Sequence, residues 1–361
     1  MEGRHLGAVG PLRPLVVAEQ LRRPVEGGIG TYVRGLVRGL SALGVDLTLW
    51  ASRPPQSGSD PLTGLGRVVS SPLPAPALVR AWDRGWGRPP GGYDVVHATS
   101  FAVPPAGGAP MSVMVHDLAW RHFPEAYPER GRRWHEAALG RALERARLLV
   151  VPSTSVADDV LAAGAPAARV HVVEEGCDHL APADDGAAGA LLGRLGVTGD
   201  YLLTVSTLEP RKNLPRLLAA YDKVRTELPP LVVVGPAGWG PEVRPGPGVV
   251  LAGLVTGGTL TALYRRARVV AYVPLREGFG LPAVEAMAGG APVVAGHVPS
   301  AGGAAVEVDP FDVDAIAGAL VRGATDEASR TELVAAGHAR AAGLTWEQAA
   351  KHHLDLWTPP A

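Results

Sequence analysis

The sequence predicts an α/β protein built as two Rossmann-like halves, each a doubly wound parallel sheet. Three observations carry this prediction. Twelve short apolar runs alternate with longer amphipathic stretches, the alternation breaks once, at Ala181–Asp200, and 361 residues are enough for two separate cores. An apolar run without in–out alternation belongs to a strand covered on both faces, and a helix between successive strands makes the sheet parallel.

In the first half the strands are Leu15–Ala18, Val45–Trp50, Asp94–Ala98, Met111–Val115, Leu148–Val151 and Arg169–Val173, with helices at Ile29–Leu43, Arg132–Ala146 and Ser155–Ala163. Asp46–Gly92 is less regular and contains a Pro/Ser/Gly-rich stretch, Ala51–Gly66. Trp82 and Trp86 would share one side of any helix there, which points to a local hydrophobic contact rather than a ligand-site wall. The second half carries strands Tyr201–Ser206, Leu231–Gly235, Val249–Ala252, Val269–Val273, Pro292–Ala295 and Ala304–Val308. Its helices are Leu214–Leu228, Thr259–Ala267, Val284–Gly289 and Val313–Arg322. The expected division is therefore an N-terminal domain over 1–180, a linker over 181–200, a second domain over 201–345 and a last segment over 346–361.

Composition narrows the function classes. With 34 basic and 35 acidic residues the chain is nearly neutral, which argues against general nucleic-acid binding. One cysteine excludes an internal disulfide framework and a cysteine-based zinc site. The histidines show no metal-ligand spacing, so no metal site is expected. No apolar run is long enough to span a bilayer, and Met1–Pro14 lacks the apolar core of a signal peptide, so a soluble, cytoplasmic protein is expected. Arg130, Arg132, Arg133, Arg141, Arg145 and Arg147 gather around one helix. With Glu136 and Glu144 interleaved they read as a solvated face before they read as a peripheral contact with the inner face of a membrane.

Ligands of doubly wound sheets bind beyond the carboxyl ends of the strands, so the informative residues follow strands directly. Arg276–Glu285 comes first. Gly278 and Gly280 permit a tight loop, Pro282 suits the start of a helix, and the helix N-terminus favours a diphosphate or sugar hydroxyls. Glu277 and Glu285 can accept hydrogen bonds from different hydroxyls of one ligand. In Thr207–Asn213, Arg211 offers a planar fork for phosphate oxygens and Lys212 a compact charge, in a chain with only three lysines. Gly27-Gly28-Ile29-Gly30 opens the first helix as an anion cradle, but Val33 stands where a dinucleotide fingerprint needs its last glycine, which counts against a nicotinamide-dependent dehydrogenase. Val115-His116-Asp117 ends a strand, where a histidine suits hydrogen bonding or proton transfer. His97 has the same topological position, and for both a purely structural role is equally compatible.

These segments together resemble the retaining nucleotide-sugar glycosyltransferases of glycosyltransferase family 4, which have the GT-B fold. Glu277 to Glu285 is similar to that family's Glu-x7-Glu motif, and Thr207–Asn213 to the version in bacterial mannosyl- and rhamnosyltransferase-like members. The likeness extends through Gly27–Gly30, Val115–Asp117, Val151-Pro152-Ser153 and Gly253-Leu254-Val255 to the helix near Trp346. The resemblance implies that Glu277 binds hydroxyls of the transferred sugar, that the N–H groups of Phe279, Gly280 and Leu281 help hold sugar and phosphate, and that Glu285 takes the ribose. It gives Arg211 and Lys212 the departing diphosphate, Gly28 and Gly30 the phosphates or acceptor, His116 (beside Asp117) the donor sugar, and Leu254 and Val255 the base. The final helix would cross back onto the N-terminal domain.

The implied reaction is metal- and cofactor-independent transfer of a hexose from GDP-mannose or a dTDP- or UDP-sugar to a saccharide, lipid-linked or small-molecule acceptor. Two departures stand out. Ser206-Thr207 replaces the family's usual Gly-Arg, and His297–Gly303, expected to face the donor, is short and lacks a carboxylate. The second feature supports an alternative, a GT-B sugar-nucleotide hydrolase or epimerase, or a non-catalytic partner subunit.

Overall fold

The computed structural model describes residues 12–240 and 242–358, so most of the Met1–Pro14 segment lies outside the described residues. Seven strands form the first sheet: β1 (Pro14–Val17), β2 (Thr48–Ala51), β3 (Arg67–Ser70), β4 (Val95–Ala98), β5 (Met111–Met114), β6 (Leu148–Val151) and β7 (Val170–Val172). Six form the second: β8 (Leu202–Val205), β9 (Leu231–Val234), β10 (Val249–Gly253), β11 (Val269–Tyr272), β12 (Val293–Ala295) and β13 (Val306–Glu307). Every strand pair is parallel, in the orders β3-β2-β1-β4-β5-β6-β7 and β10-β9-β8-β11-β12-β13. Both orders reverse next to the first strand, between β1 and β4 and between β8 and β11, and such a reversal opens a crevice at the strands' carboxyl ends.

All twelve expected strands are present. The additional one, β3, is a half-exposed edge whose only apolar residues are Val68 and Val69, too short a run to register against its polar surroundings. Helix Ala75–Asp83 follows it. Trp82 is buried there against the Trp50 ring, with centroids 5.0 Å apart, whereas Trp86 lies beyond the helix end and is largely exposed. The two tryptophans therefore do not share a face. The stretch expected as linker contains helix Asp185–Arg194, capped by Asp184 and packed on helix Gly257–Arg266 of the second domain. A further helix, Glu327–Ala342, is started by the Asp326 carboxylate, which accepts from the backbone N–H groups of Ala328 and Ser329.

The basic helix runs from Glu129 to Arg145. Two of its arginines turn inward. Arg141 pairs with Asp83 at 2.5 Å, and Arg145 donates to the carbonyls of Trp82 and Val103. Among the described residues no helix is long and apolar enough to cross a membrane.

The last helix, Trp346–Trp357, packs along the helix Gly27–Ala42. Beneath that contact runs a buried polar chain. His353 Nδ1 lies 2.8 Å from the Ala349 carbonyl, which only accepts, so Nδ1 carries the proton and Nε2 accepts from the Tyr32 hydroxyl at 2.9 Å. The Tyr32 oxygen then accepts from His97 Nε2 at 2.8 Å, and His97 Nδ1 accepts from Ser112 at 3.1 Å. His97 therefore serves the core. Both imidazoles are neutral in this arrangement. Burial depresses His353 to about 4, and burial with His353 and His116 nearby holds His97 well below its ordinary value.

The unfolded chain binds protons on these imidazoles near 6.5, while the folded chain refuses one at His353 down to about 4. Stability contributed by the neutral pair is thus complete above the unfolded value and is lost as pH falls through that window. The melting midpoint is expected to drop correspondingly between neutral pH and about pH 4. In His353→Leu the same scan should be flatter, from a starting stability lower by about 1–3 kcal/mol.

Candidate active site

A cleft of about 810 Å³ lies where the carboxyl ends of the two sheets face each other. Its walls are the segments that follow β1, β5, β7, β8, β9, β10 and β11. Of the residues singled out in the sequence, His116, Asp117, Arg211, Lys212, Gly28, Leu254, Val255, Glu277, Phe279, Gly280, Leu281 and Glu285 all line it. Gly30 does not. It is buried in the first turns of its helix, where a Cβ would overlap Glu26, so its smallness serves packing.

At the centre is a buried charge cluster. Arg211 Nη1 lies 2.8 Å and Lys212 Nζ 2.5 Å from the same oxygen of Glu277, Oε1. Arg211 Nε also meets Glu209 at 2.8 Å, and Lys212 donates to the Tyr272 hydroxyl at 3.0 Å. The two cations sit on a single turn, Pro210–Lys212, closed by Asn213 in a left-handed conformation, φ 60°. Asn213 is fixed there because its side-chain amide donates to the carbonyls of Val273 and Pro310, which ties the loop after β8 to the one after β11.

Burial pushes the Glu277 carboxyl upward, but Arg211 and Lys212 outweigh it, and the group stays below its usual value. Burial and the adjacent Arg211 depress the Lys212 ammonium, with Glu277 opposing. Arg211, although buried, is held well above its ordinary value by Glu277, Asp117 and Glu209. Glu209 is raised by burial, against the pull of Arg211 and Lys212.

His116 is clamped through both ring nitrogens, Nε2 to the Thr99 carbonyl at 2.9 Å and Nδ1 to Glu175 at 3.2 Å. Two acceptors fit an imidazolium. Burial works against that charge, but the Glu175 carboxylate and the Thr99 carbonyl outweigh it, and the pKa is raised. The ring stands edge-on to Tyr32, with centroids 5.0 Å apart.

The loop carrying Glu277 is pressed onto the other domain. A Cβ at Gly278 would overlap the His116 carbonyl oxygen, and the Gly278 carbonyl accepts from Ser153 at 2.6 Å. Gly280, at φ 96°, begins helix Leu281–Ala288 with Pro282 in its first turn, so the positive end of that helix opens into the cleft. The short 297–303 segment packs behind this loop. The Ser300 hydroxyl donates to the Gly280 carbonyl at 2.7 Å, its N–H donates to the Phe279 carbonyl at 2.9 Å, and Val298 fills the space over Gly280. None of the described cleft-lining residues comes from that segment, which corrects the expectation that it faces the donor. Ser206 and Thr207 do line the wall.

Glu285 is gripped from behind. Tyr264 donates to Oε2 and His179 Nε2 to Oε1, each at 3.0 Å. Sequence reasoning missed Glu175, His179, Tyr264 and Tyr272, each of which meets a partner far along the chain. Glu209 stood within a recognised segment, and its carboxylate two residues before Arg211 was a visible cue.

The model for Glycosyltransferase Family 4 matches residues 26–179, and that for Glycosyl transferases group 1 matches residues 199–326. O-antigen chain mannosyltransferase B of Escherichia coli is 30% identical over 262 residues, 67% of this chain and 68% of that protein. MMP alpha-(1->4)-mannosyltransferase of Mycolicibacterium hassiacum is 27% identical, covering 82% of this chain and 85% of its own. Among solved structures, Anabaena HepE in complex with UDP-glucose superposes with a TM-score of 0.72 at 17% identity, over 96% of this chain and 99% of that one. Sucrose-phosphate synthase from Thermosynechococcus elongatus gives 0.69 at 20% identity, over 96% and 98%. With both halves matched in order and the cleft placed between them, the chain belongs to glycosyltransferase family 4 and is a glycosyltransferase of the GT-B fold.

Proposed function

We propose that the chain transfers a hexose, with mannose from GDP-mannose as the first donor to test, to a saccharide acceptor with retention of configuration and without a metal ion. The observation that carries this reading is the Glu277–Arg211–Lys212 cluster at the mouth of helix Leu281–Ala288. The names of two relatives, O-antigen chain mannosyltransferase B and MMP alpha-(1->4)-mannosyltransferase, support mannose and a saccharide acceptor.

In this reading Glu277 holds the two cations poised until a donor arrives. The diphosphate then competes for Arg211 and Lys212, and the carboxylate turns to the sugar hydroxyls. As the bond from C1 to the phosphate oxygen breaks, the two cations neutralise the departing charge, the task a divalent ion performs in other transferases. The acceptor oxygen bonds to C1 on the face the phosphate leaves, and its proton passes to the departing phosphate oxygen. Same-face replacement retains configuration. His116, held as a cation beside the loop, adds positive potential near the reacting centre. Glu285 takes the ribose hydroxyls, and Leu254 and Val255 border the base. The hydrolase or epimerase alternative rested on the 297–303 segment, and that segment now has a supporting role behind the donor loop.

Glu277→Gln and Lys212→Ala are each expected to lower kcat by about 10²–10³-fold in a sugar-transfer assay with GDP-mannose, and wild-type turnover in either variant would overturn the reading. Turnover should persist in excess EDTA. Because Lys212 must be charged and its pKa is lowered by burial and Arg211, kcat/KM should fall on the alkaline side at a pH below that of an ordinary lysine. A pH–rate profile of Lys212→Arg should show that limb displaced upward.

A further inference from the structure

Glu285 sits in the second domain, yet its orientation is fixed by a residue of the crossing segment. His179 Nε2 donates to Glu285 Oε1 at 3.0 Å, and His179 Nδ1 receives the Trp346 indole N–H at 3.2 Å. An indole nitrogen only donates, so Nδ1 carries no proton and Nε2 must. The tautomer that can serve Glu285 is therefore imposed by Trp346.

Trp346 is itself immobilised. It is almost fully buried, its ring lies where a Cβ at Gly35 would stand, and its backbone N–H donates to Asp178 at 2.8 Å. Two residues before His179 and two before Trp346, the Cys177 N–H donates to the Leu344 carbonyl at 3.0 Å. Both passages of the chain between the domains thus meet at His179. Tyr264 holds the other carboxylate oxygen, leaving one acceptor position on each oxygen for a ligand.

Resting on the assignment of Glu285 to the ribose, we infer that His179 is the positioning residue for this carboxylate and that the docked last helix, through Trp346, sets how well the cleft recognises a ribose. Ribose recognition is then coupled to the seating of that helix on the first domain. The coupling needs no contact between Trp346 and the nucleotide.

The test is calorimetric titration of the full chain with GDP and UDP, and with the 2′,3′-dideoxy form of whichever binds more tightly. His179→Leu should weaken binding of the riboside by roughly tenfold while leaving the dideoxy form within about twofold of the unaltered protein. His179→Gln should restore riboside binding to within about threefold, since an amide can donate to Glu285 and accept from Trp346. Trp346→Phe, which removes the indole N–H and trims the ring to a phenyl that can still occupy the buried seat, should weaken the riboside alone by roughly threefold, and it carries the test if the leucine variant does not fold. Equal weakening of both ligands, or of neither, in His179→Leu (or in Trp346→Phe where that replaces it) overturns the proposal. Glu285→Ala separates the two levels. If it leaves the riboside preference intact, the ribose assignment fails and the proposal with it. If it abolishes the preference while His179→Leu does not, only the role of His179 fails.

Discussion

A carboxylate and two cations withdrawn from water impose the main constraint on this structure. Burying such groups is costly unless they are paired and their remaining hydrogen bonds are met, and a cluster of this kind is weak as a source of stability. Its surroundings follow from that cost. Glu209 and Asp117 face Arg211, Tyr272 takes a hydrogen bond from Lys212, and Asn213 ties the cation-bearing turn to the loop after β11. These contacts hold the charges at fixed positions, which is what a site needs if it is to meet charge developing on a leaving group without reorganising.

The contact between domains is equally specific. Gly278 lies against the backbone of His116, and Ser153 reaches its carbonyl, so the loop bearing Glu277 rests on the domain that carries the clamped histidine. Behind that loop Ser300 repeats the device from the other side. The loop after β11 is thus held at two main-chain carbonyls by two hydroxyls, which leaves its side chains free to line the cleft. On the far side of the cleft His179 and Tyr264 treat Glu285 in the same way.

Much of this was legible in the sequence because the parallel sheet places cleft-lining segments after apolar runs. Twelve strands and the cleft-lining segments around Gly28, His116, Arg211, Glu277 and Glu285 could be located from that rule together with the glycines, prolines and charged residues that follow the strands. What escaped had physical reasons. Strand β3 is a half-exposed edge with two apolar residues, and helices Asp185–Arg194 and Glu327–Ala342 are alanine-rich with weak sidedness, although Asp184 and Asp326 marked their starts. Glu175 and His179 gain their roles from residues far along the chain. The 297–303 segment was misplaced because chain order cannot tell the front of a loop from its back.

The last helix has a consequence for how the protein is made. Its seat on Gly27–Ala42 is formed by residues near the start of the chain, including Tyr32, and the helix that fills it begins at Trp346. A ribosome therefore exposes the first domain long before its final covering layer exists. During that interval the apolar face of Gly27–Ala42 that the last helix will cover is exposed to water, and an intermediate of this type is open to association with other chains. Completion of the first domain is deferred until the second has been synthesised, so a nascent chain cannot seat its last helix before the domain carrying Glu277 and Glu285 has emerged.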